Sequence, residues 1–465
     1  MPDISGKGSS RFMPDTYEFS AADRKRIYRE TLGHLKNLIR IDTTNPPGNE
    51  MAACEYVRTV LAADGVESEI LESAPGRGNI IARLRGDGSK RPLLLGAHLD
   101  VVPAMAENWS VPPFDAVEKD GFLWGRGAID CKHQVAFMLQ TFLEIKRRCL
   151  PLKRDIILCF TADEEGACTY GMGWMVRNHL DKIQCEFALN EGGGYAIPLE
   201  GANIYFCQNA EKGVFWLKLI TEAEPGHSSV PHKNNPIARM GAALHELNKP
   251  RSIRRTAIME TLLDELAALL PFPKNQAVRQ LLNPVLSDVV LTAIKSEQPQ
   301  IADVVSSLLR NTTSPTQVNA GYKENVIPER CEAIIDCRIL PGMTAEKFTK
   351  KLMRQVAVDR CEPLDAPQPN PSESPINTEL YHVIRNVIAR RDPGSVVTPF
   401  LFFGGTDNGF LRDKGITAYG FCPMKSKAHP GEYLNTAHGV DERIPLDAIE
   451  YGVTVYFDIV AELCC

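Results

Sequence analysis

The chain has 465 residues, of which 44% are hydrophobic and 24% are charged, a composition typical of globular proteins with two or three domains. The formal net charge of −6, without a basic stripe or tail, argues against an electrostatic nucleic-acid binder, and no apolar run is long enough to cross a bilayer. The 13 cysteines are scattered, which favours reduced thiols over a disulfide framework. We therefore expect a cytoplasmic protein with neither nucleic-acid nor membrane partners.

The first part of the chain alternates helix and strand patterns. Residues 1–20 are polar and lack the apolar core of a secretory signal, so we expect a flexible leader. Apolar residues at helical spacing predict helices at Ala21–Arg40 and about Glu50–Ala63. Further strands are predicted at Asn79–Leu84, Pro92–Ala97, Asp155–Thr161 and Cys185–Asn190, and further helices at Cys131–Arg147 and Gly171–Leu180. This alternation is typical of a sheet that is covered by helices on both faces.

The pattern changes after about residue 208. An alternating strand at Val214–Glu222 is followed by a long helical stretch from about Arg251 to Leu309, and the α/β pattern resumes only after a proline-rich segment. The fold class that we predict is α/β, with a doubly wound mixed sheet in the catalytic domain and an inserted α+β domain. The predicted division is a leader at 1–20, catalytic parts at 21–209 and 371–465, and the insertion at 210–370.

Three of the predicted strands end in side chains that suit a metal site. One strand is followed by His98 and Asp100, the next by Glu164 and Glu165, and a third by Glu191. Ligands bind outside the carboxyl ends of the strands in open α/β sheets. Taken singly, each segment is explained by a capped strand end or a solvated acidic turn. Their arrival at one edge of the sheet favours a metal site.

Two further segments complete the candidate set. Asp130 ends Gly125-Arg126-Gly127-Ala128-Ile129-Asp130 before a helix, where an N-cap aspartate is the simpler interpretation, and His438 lies in the segment 437–442. Imidazole and carboxylate ligands suit zinc, with Co²⁺ or Mn²⁺ as substitutes. Two such ions about 3.5–4 Å apart can share a bridging water. The spare acid Glu164 is then free to act as the general base.

With these motifs the chain resembles the dizinc metallopeptidases and amidohydrolases that include aminoacylase, acetylornithine deacetylase, succinyl-diaminopimelate desuccinylase, glutamate carboxypeptidase and carboxypeptidase S. The motifs occur in the family's order, and the resemblance covers about residues 25–460. It implies a zinc exopeptidase-like catalytic domain, an inserted lid and dimerisation domain, two Zn²⁺ ions and a homodimer.

The resemblance implies a role for each motif position. His98 and Glu191 resemble the ligands of one zinc, Glu165 and His438 resemble those of the other, and Asp130 resembles the aspartate that bridges them. All five lie in segments that match the family's motifs in type and order.

The remaining roles that the resemblance implies concern catalysis and substrate binding. Asp100 resembles the aspartate that orients the first histidine, and Glu164 resembles the general base. His227 of Gly-His-Ser-Ser resembles the histidine that polarises the scissile carbonyl, which in relatives often comes from the partner subunit. A guanidinium fork suits a free carboxylate, and the positions that resemble substrate-binding residues are Asn325, Arg338, Gly404, Gly405 and Thr406.

Two positions bear on the substrate. Relatives that are aminopeptidases or dipeptidases tend to have aspartate at the position of Glu191, so glutamate favours an N-acyl amino acid or carboxypeptidase-type substrate. His133 departs from the family's pattern after the bridging aspartate. It either narrows or polarises the pocket or lies on the helix surface, and we favour the surface. The region 250–312 resembles the carboxypeptidase S branch in length.

The predicted function is zinc-dependent hydrolysis of an amide bond adjacent to a free carboxylate, in an N-acyl amino acid or peptide, by an amidohydrolase or carboxypeptidase. The partner is then a small-molecule substrate. A dipeptidase or an N-carbamoyl amino acid hydrolase of the same fold is one alternative. A non-catalytic binding protein on this fold is the other, although Glu164 argues against it because a binder has no use for a spare base.

Overall fold

A computed structural model describes residues 18–166, 168–364 and 370–465; most of the predicted leader, residues 1–17, lies outside the described residues. The first helix begins at a capping box, in which the Ser20 side chain and Asp23 bond to each other's backbone N–H groups. Up to residue 211 the elements are α1 (Ala21–Arg40), α2 (Glu50–Ala63), β1 (Ser68–Ala74), β2 (Arg77–Leu84), β3 (Leu93–His98), β4 (Val117–Lys119), β5 (Phe122–Trp124), α3 (Lys132–Arg147), β6 (Ile156–Thr161), α4 (Met172–Asn178), α5 (Leu180–Ile183), β7 (Phe187–Asn190), β8 (Ala196–Leu199) and β9 (Ala202–Glu211).

The rest of the chain forms a second group of elements and then returns to the first. The elements from residue 213 to 363 are β10 (Gly213–Glu222), β11 (Gly226–His227), α6 (Pro236–Leu247), α7 (Ala257–Leu269), α8 (Lys274–Arg279), α9 (Ser287–Glu297), α10 (Pro299–Leu308), β12 (Thr312–Ala320), β13 (Val326–Ile327), β14 (Arg330–Ile339), α11 (Ala345–Met353) and β15 (Arg360–Pro363). The last elements are β16 (Ser372–Glu373), α12 (Glu379–Arg391), β17 (Val396–Phe402), α13 (Asn408–Arg412), β18 (Thr417–Gly420), β19 (Arg443–Pro445) and α14 (Leu446–Cys464).

The largest sheet has mixed strand directions. Its order is β1-β2-β6-β3-β7-β18-β9-β16, and β8 and β17 also pair with β9. The central strands β6, β3, β7 and β18 run parallel, so their carboxyl ends meet at one edge. The residues of β3 and β6 are all buried, as expected for parallel strands that are covered on both faces. The predicted α/β fold with a mixed sheet is confirmed.

Helices cover both faces of this sheet. The helices α1, α3, α12 and α14 share one apolar core with β2, β3 and β6, and α4 and α13 contribute to a second core on the other face. Neither these nor any other described helix is both long and apolar enough to cross a membrane.

A second sheet, antiparallel and ordered β12-β14-β10-β15, lies between residues 213 and 363. Its apolar core includes residues of α6 and α11. The predicted helical stretch from Arg251 to Leu309 forms four helices, α7–α10, and these share a core with Ala210 and Leu401 of the large sheet. We propose that the domain division falls at about residues 210 and 370. The position of Lys212 supports this division, because it lies between β9 of the large sheet and β10 of the second sheet.

Candidate metal centre

Three strand ends bring the predicted ligands to one edge of the large sheet. His98 is the last residue of β3 and lies opposite Thr161, the last residue of β6. Glu165 lies in the turn that follows β6, and Glu191 follows β7 directly. The parallel register therefore places an imidazole and two carboxylates side by side, as the order of strands and acids in the sequence predicts.

Asp130 lies between two histidines. Its Oδ1 is 3.1 Å from His98 Nε2, and its Oδ2 is 3.0 Å from His438 Nε2. Glu191 Oε2 is 3.3 Å from His98 Nε2, and Glu165 Oε1 is 2.9 Å from His438 Nε2. The predicted ligands thus form two groups that share Asp130. Each group brings nitrogen and oxygen donors close together, and the first group also includes the buried thiol of Cys131. This arrangement fits a pair of divalent cations.

The ionisable groups of this cluster have strongly perturbed pKa values. Burial raises the pKa of Glu165 to about 7, and hydrogen bonds that the His438 ring donates to the carboxylates of Asp130 and Glu165 raise the pKa of His438 to about 10. Burial, together with the carboxylates of Glu191 and Glu165, raises the pKa of Glu164 well above its usual range. Such crowding of carboxylates is relieved by a bound cation, so the electrostatics agree with the donor set.

Asp100 organises the acidic turn. Its buried carboxylate accepts hydrogen bonds from the backbone N–H groups of Glu164 (3.0 Å) and Glu165 (3.1 Å). The Nδ1 atom of His98 lies 3.0 Å from the backbone oxygen of Asp100 and 3.5 Å from its Oδ1. The Nε2 atom of His98 therefore faces Asp130, the orientation that a second carboxylate or carbonyl commonly imposes on a histidine ligand.

A buried network supports this turn, and the sequence analysis missed it. Asn45 donates to Asp100 (2.8 Å) and to Asp163 (3.0 Å). Arg77 donates to both oxygens of Glu50 (2.8 and 2.7 Å) and to Asp163 (3.0 Å). Asn45 lies in the polar segment between α1 and α2, and nothing in that segment marks it as a partner of Asp100.

Glu442 is a further residue to which the sequence analysis gave no role. Its carboxylate is fully buried. It accepts hydrogen bonds from four groups of the segment that carries the bridging aspartate: the backbone N–H groups of Ile129 (2.7 Å), Asp130 (3.0 Å) and Gly127 (3.0 Å), and the side chain of Arg126 (2.6 Å). Because Glu442 lies only four residues after His438, it connects the segments of two candidate ligands. The only signal in the sequence was an acidic residue four positions after the candidate ligand His438, and the prediction did not use it.

A cavity of about 330 Å³ opens beside the cluster. It is lined by Glu164, by apolar side chains such as Trp216 and Phe402, and by the predicted substrate-binding residues Arg338, Gly404, Gly405 and Thr406. The guanidinium of Arg338 pairs with Asp336 through two contacts of 2.8 and 3.1 Å. Arg338 thus reaches the cavity already held in position by a neighbouring carboxylate.

Four predicted site residues do not line the cavity: His98 and Asp100 belong to the ligand cluster beside it, whereas His227 and Asn325 belong to neither. His227 and Asn325 are exposed beside the short pairing of β11 with β13. The ring of His227 contacts the Ser229 hydroxyl at 2.8 Å, and the N–H of Ser228 donates to the Asn325 backbone oxygen at 3.1 Å. In a single chain, therefore, His227 and Asn325 lie next to each other but not at the cavity.

The favoured interpretation of His133 was wrong. Its side chain is only 1% exposed, because α3 is buried around its whole circumference. The ring packs edge-to-face against Phe137 at 5.5 Å, and burial lowers the pKa of His133 to about 4. Neither ring nitrogen makes a hydrogen bond of good geometry among the described residues, and the backbone of Ile129 opposes the effect of burial only weakly. His133 is a neutral core histidine, not a surface residue.

Similar proteins are found by sequence and by structure. The family described as Peptidase family M20/M25/M40 matches residues 94–462. The chain is 30% identical over 446 residues to human (Homo sapiens) N-fatty-acyl-amino acid synthase/hydrolase PM20D1, a match that covers 92% of this chain and 86% of the relative. It is 24% identical over 441 residues to Aminoacylase-1A of Rattus norvegicus, with 92% and 94% covered.

Among solved structures, the M20 family metallo-carboxypeptidase Sso-CP2 from Sulfolobus solfataricus matches with a TM-score of 0.70 and 17% identity, covering 93% of this chain and 99% of that chain. At this identity the likeness supports the fold alone. The family match extends over far more than half of the chain and includes all five candidate ligands. The chain therefore belongs to Peptidase family M20/M25/M40, and it is a hydrolase of amide or peptide bonds with a cluster of candidate metal ligands.

Proposed function

We propose that this hydrolase uses two zinc ions to cleave the amide bond next to a free carboxylate, with an N-acyl amino acid or a peptide as substrate. The observation that carries the proposal is the position of Asp130, whose two oxygens face two different histidines. Each histidine also contacts one further glutamate. Glu164 lines the cavity, and no described side chain hydrogen-bonds to its carboxylate, so this acid is free for proton transfer.

The proposed division of labour follows from these positions. His98 and Glu191 would hold one ion and Glu165 and His438 the other, and the pair would polarise the amide carbonyl and lower the pKa of the attacking water. Glu164 takes one proton from that water as its oxygen bonds to the carbonyl carbon. Glu164 then gives the proton to the leaving nitrogen as the C–N bond breaks. The second proton of the water stays on the new carboxyl group until that group ionises and the amine takes it up, so the products are a carboxylate and a protonated amine.

The cavity residues support a substrate that is both anionic and apolar. Arg338 would bind the free carboxylate with the fork of its guanidinium, opposite the backbone of Gly404 and Gly405. Trp216 and Phe402 provide apolar surface for an acyl group or side chain. The names of the two relatives, one a fatty-acyl amino acid synthase/hydrolase and the other an aminoacylase, favour N-acyl amino acids over dipeptides and N-carbamoyl amino acids.

We also propose that the active form is a homodimer. Because His227 and Asn325 are exposed and do not line their own chain's cavity, His227 would contact the scissile carbonyl only from a second copy. This arrangement is the one that the family resemblance implies. It gives the exposed β11–β13 pairing a catalytic use.

The test is hydrolysis by metal-loaded protein of N-acetyl, long-chain N-acyl, N-carbamoyl and dipeptide forms of one amino acid. We expect close to two zinc ions per chain, loss of activity with a chelator, and recovery with zinc. Glu164→Ala should abolish turnover, with a loss of at least about 10²-fold, and should keep its zinc. Near-normal activity of this variant would refute the assignment of the base. Turnover that is unaffected by complete metal removal would refute the metal mechanism.

A further inference from the structure

A second cavity, of about 640 Å³, lies far from the candidate ligands in sequence and shares no lining residue with their cavity. It is formed by the end of α6, the link to α7, Asn311 and one side of α11. Its size is within the range of about 300–1,000 Å³ that is typical of small-molecule sites. The proposed function gives this cavity no role.

The charges of this cavity are unbalanced. Its lining includes four cationic side chains, Lys249, Arg251, Arg254 and Lys351, against one carboxylate, Glu246. That carboxylate is already paired with Lys249. The other three cations form no ion pair with any carboxylate of the described residues. This local excess of positive charge contrasts with the formal net charge of −6 of the whole chain.

Among these cations, Arg251 is held by contacts with three neighbouring side chains. Its guanidinium donates to Gln355 Oε1 (2.7 Å) and to the hydroxyl of Thr313 (3.1 Å), both neutral, and lies 5.4 Å from the ring centre of Phe348. Its Nε atom is buried and has no partner among the described residues. Burial lowers the pKa of Arg251, and no carboxylate acts in the opposite direction.

Arg251 and Arg254 are half-buried and Lys351 is exposed. A half-buried charge without an ion pair is unfavourable for a protein, and a counter-ion from solution reduces that cost. By contrast, the neighbouring Arg255 is paired with Glu260 at 2.9 Å, so pairing is available on this surface. Arginine and lysine together are typical of phosphate sites, because the guanidinium fork matches phosphate oxygens and a phosphate carries about two charges at neutral pH. A single carboxylate would leave most of the positive charge unbalanced.

We propose that this cavity is a binding site for a phosphate-bearing small molecule, with Arg251, Arg254 and Lys351 as its anion-binding residues. The lining also includes two uncharged side chains, Phe348 and Asn311. These provide surface for the uncharged part of the molecule to which the phosphate is attached. The site is separate from the hydrolytic centre, so the proposal does not rest on the proposed function.

The test is calorimetric titration of the metal-loaded protein with inorganic phosphate. The double variant R254Q/K351Q removes two cations that have no ion pair and should not disturb folding. The matched control K347Q/R354Q makes the same charge change beside the cavity, at exposed positions of the α11 segment that do not line it. We expect phosphate binding to weaken at least about tenfold in the first variant and to stay within about twofold of wild type in the control.

The metal centre itself can bind phosphate, but binding there persists equally in both double variants, and only the difference between them reports the second cavity. R251K, which keeps the charge and loses the fork, should also weaken binding. Equal phosphate affinity in R254Q/K351Q and in the control would overturn the proposal. Preferential binding of succinate, a dianion without a tetrahedral oxyanion, would overturn the assignment to phosphate.

Discussion

Replacement of Glu442 by glutamine should destabilise the protein more than any ordinary surface change. The carboxylate of Glu442 is fully buried and contacts four donors, one of them the guanidinium of Arg126, which is itself only 3% exposed. A glutamine amide retains one acceptor oxygen, and its NH₂ group faces N–H donors. The variant thus loses two charge-assisted hydrogen bonds, worth about 1.5–3 kcal/mol each, and leaves Arg126 unpaired. We expect the free energy of unfolding to fall by about 3–5 kcal/mol.

The assay is urea unfolding of chelator-treated and zinc-loaded protein, combined with a measurement of zinc affinity. Zinc affinity should fall as well, because Glu442 fixes the backbone N–H of Asp130. The matched control is Asp441→Asn, which makes the same chemical change one residue away, where the carboxylate bonds to the exposed Ser110. The free energy of unfolding of this control should stay within about 1 kcal/mol of the wild-type value. If Glu442→Gln is no less stable than Asp441→Asn and binds zinc equally well, the reasoning is refuted.

Two further predictions concern His227 and His133. A mixture of the inactive variants Glu164→Ala and His227→Ala should regain about a quarter of wild-type activity, because half of randomly exchanged dimers are mixed and each has one complete site; no recovery after confirmed exchange contradicts the shared site. Burial lowers the pKa of His133 to about 4 in the folded chain, whereas the pKa of an unfolded histidine is about 6.5. As the pH falls from 7 to 5, the unfolded state therefore binds a proton at His133 and the folded state does not. The free energy of unfolding of the wild type should therefore fall by about 2 kcal/mol more than that of His133→Phe over this range. Urea unfolding at each pH measures this difference, and an equal pH dependence of the two proteins would contradict the prediction.

The sequence was informative where a single strand or motif carries the signal. The capping box at Ser20 begins α1 at the predicted residue, and the uniformly apolar β3 and β6 are central parallel strands. Both features depend on neighbouring residues, which a sequence displays directly. The edge strand β1 was missed because its residues alternate without a strongly apolar face.

The residues around the ligands were harder to predict because their contacts are distant in the sequence. Glu442 contacts groups more than 300 positions away, and Arg77 contacts Asp163 across 86 positions. Such pairings depend on how the strands are ordered in the sheet. His133 was misjudged because helical periodicity does not reveal that α3 packs against α1 and α14 as well as the sheet, which buries every face of the helix.

Two buried carboxylates, those of Asp100 and Glu442, explain how the crowded centre is held together. Asp100 fixes the turn of Glu164 and Glu165 through their backbone N–H groups, and Glu442 does the same for Asp130. Backbone donors leave the side chains of these residues free to face the cavity and each other. A ligand that was instead oriented through its own carboxylate would have fewer oxygens left for a cation. Buried acids that are bonded to the backbone therefore hold in place the segments that carry Asp130, Glu164 and Glu165.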